Sequence, residues 1–244
     1  MNDYIHNLIA LTKSEIMSDS PQDLGVPQPP LELPIAPDAA LIPLPAPDGL
    51  HIPAIDLRTA VEQRRTLRRY QEQALSLAEL SYLLWLTQGI KEVTGRPVTL
   101  RTVPSAGARH AFETYLLINR VEGLEAGLYR FVAGQHALLC LDAPATICAD
   151  VTEACYQQAQ VAGSAVTFLW AAVSERMTWR YVERGFRYLL LDAGHVCQNL
   201  YLAAEAIGCG VCAIDAFNDD RLNQTLDLDG ENQWVIYAAS LGKR

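Results

Sequence analysis

Ten of the thirteen prolines in the chain fall between Pro21 and Pro53, and no other feature restricts its folding more. Each proline fixes φ and lacks an amide donor, so this stretch can form neither a helix interior nor a central strand. It reads Pro27-Gln-Pro-Pro-Leu-Glu-Leu-Pro34 and later Ile42-Pro-Leu-Pro-Ala-Pro47, which predicts an extended arm without regular structure. The Leu and Ile between the prolines suit an arm lying on a surface. A short helix is expected ahead of it, within 3–17. The chain therefore divides into an N-terminal helix and proline-rich arm over 1–55 and a folded body over 56–244.

The body is regular. Asp56 can cap a helix to about Leu67, and Ser76-Leu-Ala-Glu79 is a capping box that opens an apolar helix ending near Gly89. These two helices precede the expected first strand, Phe112–Asn119, which alternates and is rich in Tyr, Leu and Ile. Gly127–Val132 and Ala137–Leu141 follow at hairpin distance. Thr146–Val161 reads as helix, and Ala165–Val173 as an unbroken apolar strand buried on both faces. Phe186–Ile207 is the longest periodic helix, stopped by Gly208. Val211–Ile214, Asp219–Leu226 and Trp234–Leu241 read as strand, helix and strand. The expected class is α+β, a mostly antiparallel central sheet flanked by helices.

A formal net charge of −9 argues against a nucleic-acid partner, because phosphate backbones select for surplus Lys and Arg. No run of 18 apolar residues occurs, and the N-terminus lacks the pattern of a secretory signal, so a cytoplasmic protein without a membrane partner is expected. The six cysteines lie mostly in apolar segments, which suits reduced core thiols.

Four segments can carry chemistry. With 19 basic residues in 244, Arg64-Arg-Thr-Leu-Arg-Arg69 holds four in a window where about half of one is expected. Arginine forks and a hydroxyl there suit a phosphate group, and a solvated basic turn at a helix C-terminus is the plainer alternative. Val103-Pro-Ser-Ala-Gly-Ala108 is a small-residue loop whose amides can approach a flat or anionic ligand. Gly208-Cys-Gly-Val-Cys212 holds a C-x-x-C spacing, but it enters a strand and has no second ligand pair. Core packing is therefore expected, and no metal site. Trp179–Tyr188 interleaves aromatic and basic residues, so that Tyr181 could serve as a general acid or orient a substrate, or the segment could anchor an interface. Asp192 and His195 stand i,i+3 on the long helix, as a metal pair or an acid/base dyad would, but a helix this apolar more often buries its His with a hydrogen-bond partner.

The order and spacing of these stretches resemble the nitroreductase superfamily, and within it the SagB/ThcOx-type dehydrogenases, which include oxidases that turn peptide azolines into azoles. The resemblance is carried by Arg64–Tyr70, Pro104–Gly107 with Glu113-Thr-Tyr115, Arg184–Tyr188 through Leu191-Asp-Ala-Gly-His195, and Ala204–Gly208 with Ile214-Asp-Ala-Phe217, over roughly 56–244. It implies an FMN-binding body in a homodimer with flavin at the interface. Arg64, Arg65, Thr66 and Arg68 would hold the phosphate and ribityl chain. Pro104, Ser105, Ala106 and Gly107 would approach the flavin from the partner subunit. Ile214, Asp215 and Ala216 would present backbone amides to its reactive edge. Family members usually carry further basic contacts in a tail past the last strand. Here the chain ends at Lys243 and Arg244, which would stand in for them.

The expected function is an FMN-dependent oxidoreductase passing electrons from a donor such as NAD(P)H through the flavin by a ping-pong cycle. A small-molecule or peptide substrate is expected. The alternatives are an azoline-to-azole oxidase and a non-catalytic scaffold subunit of the same fold. Azoline oxidases of this type carry Lys-Tyr where this chain has Arg180-Tyr181. Arginine is a poor proton acceptor, so base chemistry does not transfer, whereas Tyr181 stays available as the catalytic group. The helix through Leu189, Val196, Leu200 and Leu202 is apolar around most of its circumference, which also favours dimer burial.

Overall fold

A computed structural model describes residues 2–95 and 98–244. Its body is a seven-stranded sheet in the order β1-β6-β5-β4-β7-β9-β8. These strands are β1 (Leu41–Pro43), β4 (Phe112–Ile118), β5 (Gly127–Val132), β6 (Ala137–Cys140), β7 (Val166–Val173), β8 (Cys209–Ile214) and β9 (Gln233–Lys243), and every neighbouring pair is antiparallel. A separate hairpin joins β2 (Ile90–Val93) to β3 (Thr99–Arg101).

Alternation along the strands divides the interior. Phe112, Leu116 and Ile118 of β4 face one core, with helices α3 (Leu77–Gln88) and α7 (Gly185–Ala206). Tyr115 and Leu117 face a second core, with α4 (Ile147–Ala154) and α8 (Asp219–Thr225). Strand β7 is buried along its whole length, as its unbroken apolar run requires. The capping box forms: Ser76 Oγ accepts from Glu79 N at 3.2 Å, and Ser76 N donates to the Glu79 carboxylate at 2.9 Å.

Four expectations need correction, and one helix lies where none was assigned. The proline arm is not wholly irregular, since β1 adds to the sheet by pairing Leu41 with Leu139 and Pro43 with Ala137. A proline is tolerated there because an edge strand has one side free of ladder bonds. Phe112 does not begin the first strand, because β1, β2 and β3 precede it. Helix α2 (Leu57–Gln63), capped by Asp56, stops before Leu67, for Arg64 turns to ψ 124° and the chain becomes extended. The segment 146–161 is broken into α4 and α5 (Ala159–Gly163) by Tyr156 and Gln157, both left-handed at φ 53° and 57°. The residues before the long helix form a helix of their own, α6 (Ser174–Tyr181), ended by Val182 at φ 42°. That is a strained conformation for a β-branched residue.

The arm lies on the body, held by both backbone and side chains. Gln22 N donates to Trp179 O at 2.9 Å, and Trp179 Nε1 to Val26 O at 2.8 Å. Farther along, Glu113 Oε1 accepts from Leu33 N at 2.8 Å and from Arg176 at 2.6 Å, and Arg176 Nε reaches Pro30 O at 2.8 Å. Glu113 and Arg176 are 4% and 2% exposed, so the arm covers a buried ion pair.

Candidate active site

The arginine-rich segment leaves the C-terminus of α2 at Arg64, as expected, and then lies against the sheet margin. Thr66 pairs in parallel with Val211, and Leu67 N donates to Val211 O at 2.9 Å, so 64–70 runs along β8. Two glycines allow this approach. A Cβ on Gly210 would stand 2.5 Å from the Leu67 side chain, and one on Gly242 would stand 2.7 Å from that of Tyr70. Tyr70 then closes the segment by donating to Ser240 O at 3.0 Å.

Tyr201 of α7, which the sequence did not single out, joins the pieces. Its hydroxyl is 3.2 Å from Thr66 Oγ1 and accepts from Ala213 N at 3.0 Å, while the Arg64 guanidinium lies 5.3 Å from its ring centre. The basic segment and the end of β8, which leads into Ile214, Asp215 and Ala216, thus meet on one side chain. Asp215 and Ala216 are exposed, and their amides donate to no acceptor among the described residues. Ala216 O accepts from Gln158 Nε2 at 2.7 Å. Arg64, Arg65, Arg68 and Arg69 have no carboxylate within ion-pair distance among the described residues. Unpaired guanidinium groups beside free backbone donors fit a phosphorylated, electron-accepting group.

Lys243 and Arg244 are arranged differently. Lys243 is paired with Glu79 and donates to Ile207 O at 2.9 Å, and Arg244 is paired with Glu205. Their charges are neutralised by carboxylates at the start of α3 and the end of α7.

The small-residue loop forms a second centre. Ser105 Oγ accepts from His110 N at 2.9 Å, and Ala106 N donates to the Asp192 carboxylate at 3.2 Å. Pro104 is exposed, and Gly107, Ala108 and His110 all take positive φ. Only a glycine fits at 107, because a Cβ would stand 2.4 Å from the Tyr181 hydroxyl. Tyr181 meets the Tyr188 ring edge-on at 4.8 Å, and Arg184 donates to the Tyr188 hydroxyl at 2.8 Å. Asp192 is therefore a positioning residue for the loop. Burial raises its pKa, against the hydrogen bonds from Ser105 and Ala106. The expected burial of His195 does not hold: its ring is half-exposed at the helix surface, and its Nδ1 lies 3.8 Å from Asp192, too loose for a tight acid/base pair.

In one chain the two centres are apart. Asp192 and Tyr201 are separated by nine residues of α7, which is about 13 Å along the helix axis. The C-x-x-C pair belongs to neither as a thiol couple. Cys209 packs in the first core, Cys212 accepts from Gln160 Nε2 on the opposite strand face, and burial pushes the Cys209 thiol up to about 12.

The nitroreductase family model matches residues 61–243, which takes in both centres. The chain belongs to the nitroreductase family. Within it, the chain is 34% identical over 178 residues to the Methanocaldococcus jannaschii protein named Putative nitroreductase MJ1384, covering 72% of this chain and 87% of that one. It is 29% identical over 133 residues to the trifolitoxin-processing protein TfxB of Rhizobium leguminosarum bv. trifolii, covering 53% of this chain and 36% of TfxB.

Among solved structures, a nitroreductase-type protein of Anabaena variabilis superposes with a TM-score of 0.69 at 26% identity over 85% of this chain and 42% of its own. The chain thus spans less than half of that protein. An FMN complex of a Desulfovibrio desulfuricans protein of the same type superposes at 0.54, with 19% identity over 78% of this chain and 86% of its own. A chain of the Escherichia coli microcin synthetase McbBCD complex with truncated pro-MccB17 bound superposes at 0.59, with 19% identity over 87% and 78%. At such identities the last two share the fold alone. Among the described residues no helix is long and apolar enough to cross a membrane.

Proposed function

We propose that the chain is an FMN-dependent oxidoreductase of the SagB type, acting as a homodimer with two flavin sites at its interface. The observation that carries this reading is the set of unpaired arginines along β8, linked through Tyr201 to the free amides of Asp215 and Ala216. Arg64, Arg65, Thr66 and Arg68 would hold the phosphate and ribityl chain. Lys243 and Arg244 would join them only by exchanging Glu79 and Glu205 for the phosphate. Ile214, Asp215 and Ala216 supply fixed donors at the place where negative charge develops, which favours the reduced state. When bound, FMN supplies hydride chemistry in two half-reactions, so that donor and acceptor use one site in turn.

The homodimer is supported by the separation of the two centres and by the outer face of α7. Leu190 and Leu191 are 51% and 60% exposed there, beside the open backbone of Gly194, a patch that a second copy would cover. Pairing two chains would bring Pro104, Ser105, Ala106 and Gly107 of one protomer to the β8 centre of its partner. Tyr181, fixed over Gly107, is the group placed to orient substrate or pass a proton. NAD(P)H is the proposed electron donor. The kinship with TfxB supports a second reading, azoline-to-azole oxidation on a modified peptide, in which Tyr181 acts without a neighbouring lysine.

The test is a flavin titration of the purified protein followed by turnover. Stoichiometric FMN binding with a visible absorbance band, dimeric sedimentation, and NAD(P)H oxidation with quinones or nitroaromatics establish the first reading. Oxidation of a thiazoline peptide without NAD(P)H turnover would favour the second. Colourless monomeric protein that refuses FMN excludes both.

A further inference from the structure

A cleft of about 820 Å³ lies between the proline arm, the β2–β3 hairpin and α6, bordered by Gln22, Gln28, Gly107, Arg109, Trp179 and Arg180. It adjoins Tyr181. A Cβ on Gly107 would stand 2.4 Å from the Tyr181 hydroxyl and 3.3 Å from Arg180 Cδ, so the loop proposed to face the flavin is also a wall of the cleft. The arm supplies another wall, pinned there by the two Trp179 bonds to Gln22 and Val26.

The cleft gathers positive charge without answering it. Arg109 is 2% exposed. Its Nε donates to Arg176 O at 3.1 Å, one terminal nitrogen to Gln28 Oε1 at 3.4 Å, and its guanidinium lies 4.9 Å from the Trp179 ring centre. These contacts fix its plane and leave its charge intact. Arg180 is exposed, with its guanidinium 5.6 Å from the Tyr181 ring centre. Neither arginine has a carboxylate within ion-pair distance among the described residues. Asp23 feels the charge of Arg180, yet its carboxylate already accepts from Ser20 N and Oγ at 3.0 and 2.6 Å. Burial and the neighbouring Arg180 charge both press the Arg109 pKa down. Two like charges held in one cleft repel, and a bound anion relieves that repulsion while accepting charge-assisted hydrogen bonds.

We propose that Arg109 and Arg180 bind an oxyanion, a carboxylate by preference, on the compound that exchanges electrons at this centre, with Trp179 giving apolar contact to its carbon skeleton. The inference rests on the flavin reading above for what happens next, and on the cleft alone for the binding. The side chain at 180 then sets substrate charge, and the reacting carbon is directed towards Tyr181 and Gly107. A peptide carboxylate and a dinucleotide phosphate share this chemistry.

Equilibrium titration separates the cases. The purified full-length protein, with excess FMN and no reductant, is titrated with 4-nitrobenzoate, with its neutral isostere 4-nitrobenzamide, and with 4-nitrophenyl phosphate. Binding of the benzoate about tenfold tighter than the amide is expected, as one charge-assisted contact allows. Arg180→Gln should cut most of that preference, leaving what Arg109 supplies alone, and Arg180→Lys should keep more of it; Arg180 is exposed, so both variants should fold. Tighter binding of the phosphate that is lost in Arg180→Gln would support the oxyanion site and assign it to a dinucleotide. Equal binding of acid and amide, or a preference undiminished in Arg180→Gln, overturns the proposal. Because no turnover is needed, a protein that prefers the acid but neither holds FMN nor oxidises NAD(P)H keeps this site and loses the flavin reading.

Discussion

The hydroxyl of Tyr201 stands 3.2 Å from Thr66 Oγ1 across 135 residues of sequence, and this contact ties the arginine-rich segment to the long helix. The same oxygen accepts from Ala213 N, so one side chain sets the distance between the proposed phosphate site and the donors at the end of β8. Tyr201→Phe should keep the ring beneath Arg64 and lose both bonds. About 1 kcal/mol of stability should go with them, together with a several-fold loss of FMN affinity, read by thermal melting and flavin fluorescence.

Arg65 is exposed, and no ion pair engages it among the described residues. Arg65→Ala should therefore leave the melting temperature nearly unchanged and weaken FMN by about tenfold, the usual scale for one charge-assisted phosphate contact. Riboflavin, which lacks the phosphate, should bind wild type and variant alike. An equal loss for both flavins would place Arg65 elsewhere.

Glu113→Ala should be the most damaging single change. It strands the buried Arg176 charge and frees Leu33 N, and breaking a buried pair from one side costs about 3–5 kcal/mol. Denaturant melts should show that loss, and limited proteolysis should cut first within 20–40, where the arm is no longer held.

His110 is buried, and burial together with the Arg101 charge pulls its pKa down to about 3 from 6.5. Between these values the unfolded chain binds a proton that the folded chain refuses, so stability falls as pH drops through that window. The slope is about 1.4 kcal/mol per pH unit at its steepest. In His110→Asn, which tolerates the left-handed backbone at this position, the stability curve should be flatter between pH 6 and 4, by about the same amount. Parallel curves for the two proteins would exclude this role for the imidazole.

The thiols offer a direct check on the sheet. Cys140 is exposed, whereas Cys155, Cys197, Cys209 and Cys212 are buried. A thiol reagent should label Cys140 quickly in the native protein and reach those four only on unfolding.

Elements that rest on local chemistry were legible in the sequence. Asp56 and Ser76 with Glu79 open their helices and Gly208 closes the long one where their side chains or backbone freedom predict, and the apolar run through Ala165–Val173 is the central buried strand. What stayed hidden depends on partners distant in the chain. Helix α2 stops early because Thr66 and Leu67 have Val211 to pair with. The strand at Leu41 exists because β6 has an open edge, and no local pattern announces either. Arg64, Thr66 and Ala213 converge as the segments carrying them suggest, but Tyr201 sits inside an apolar helical repeat that gave its hydroxyl no distinction. Arg109 escaped notice, and Trp179 stood out only as part of an aromatic and basic segment, because their partners lie in the arm, where proline content predicts extension but not the place of contact.

The segment 64–70 along β8 and the short, proline-ended β1 have a further consequence for how this protein can meet a polypeptide. At one border the ladder positions of Val211 are already taken by Thr66 and Leu67, and at the other only three residues, one lacking an amide hydrogen, would be offered as a template. A visiting peptide would find little to zip onto as an eighth strand. Recognition would have to run through side chains and shape, which lets the arm and α6 decide who is admitted while the scaffold beneath stays the same.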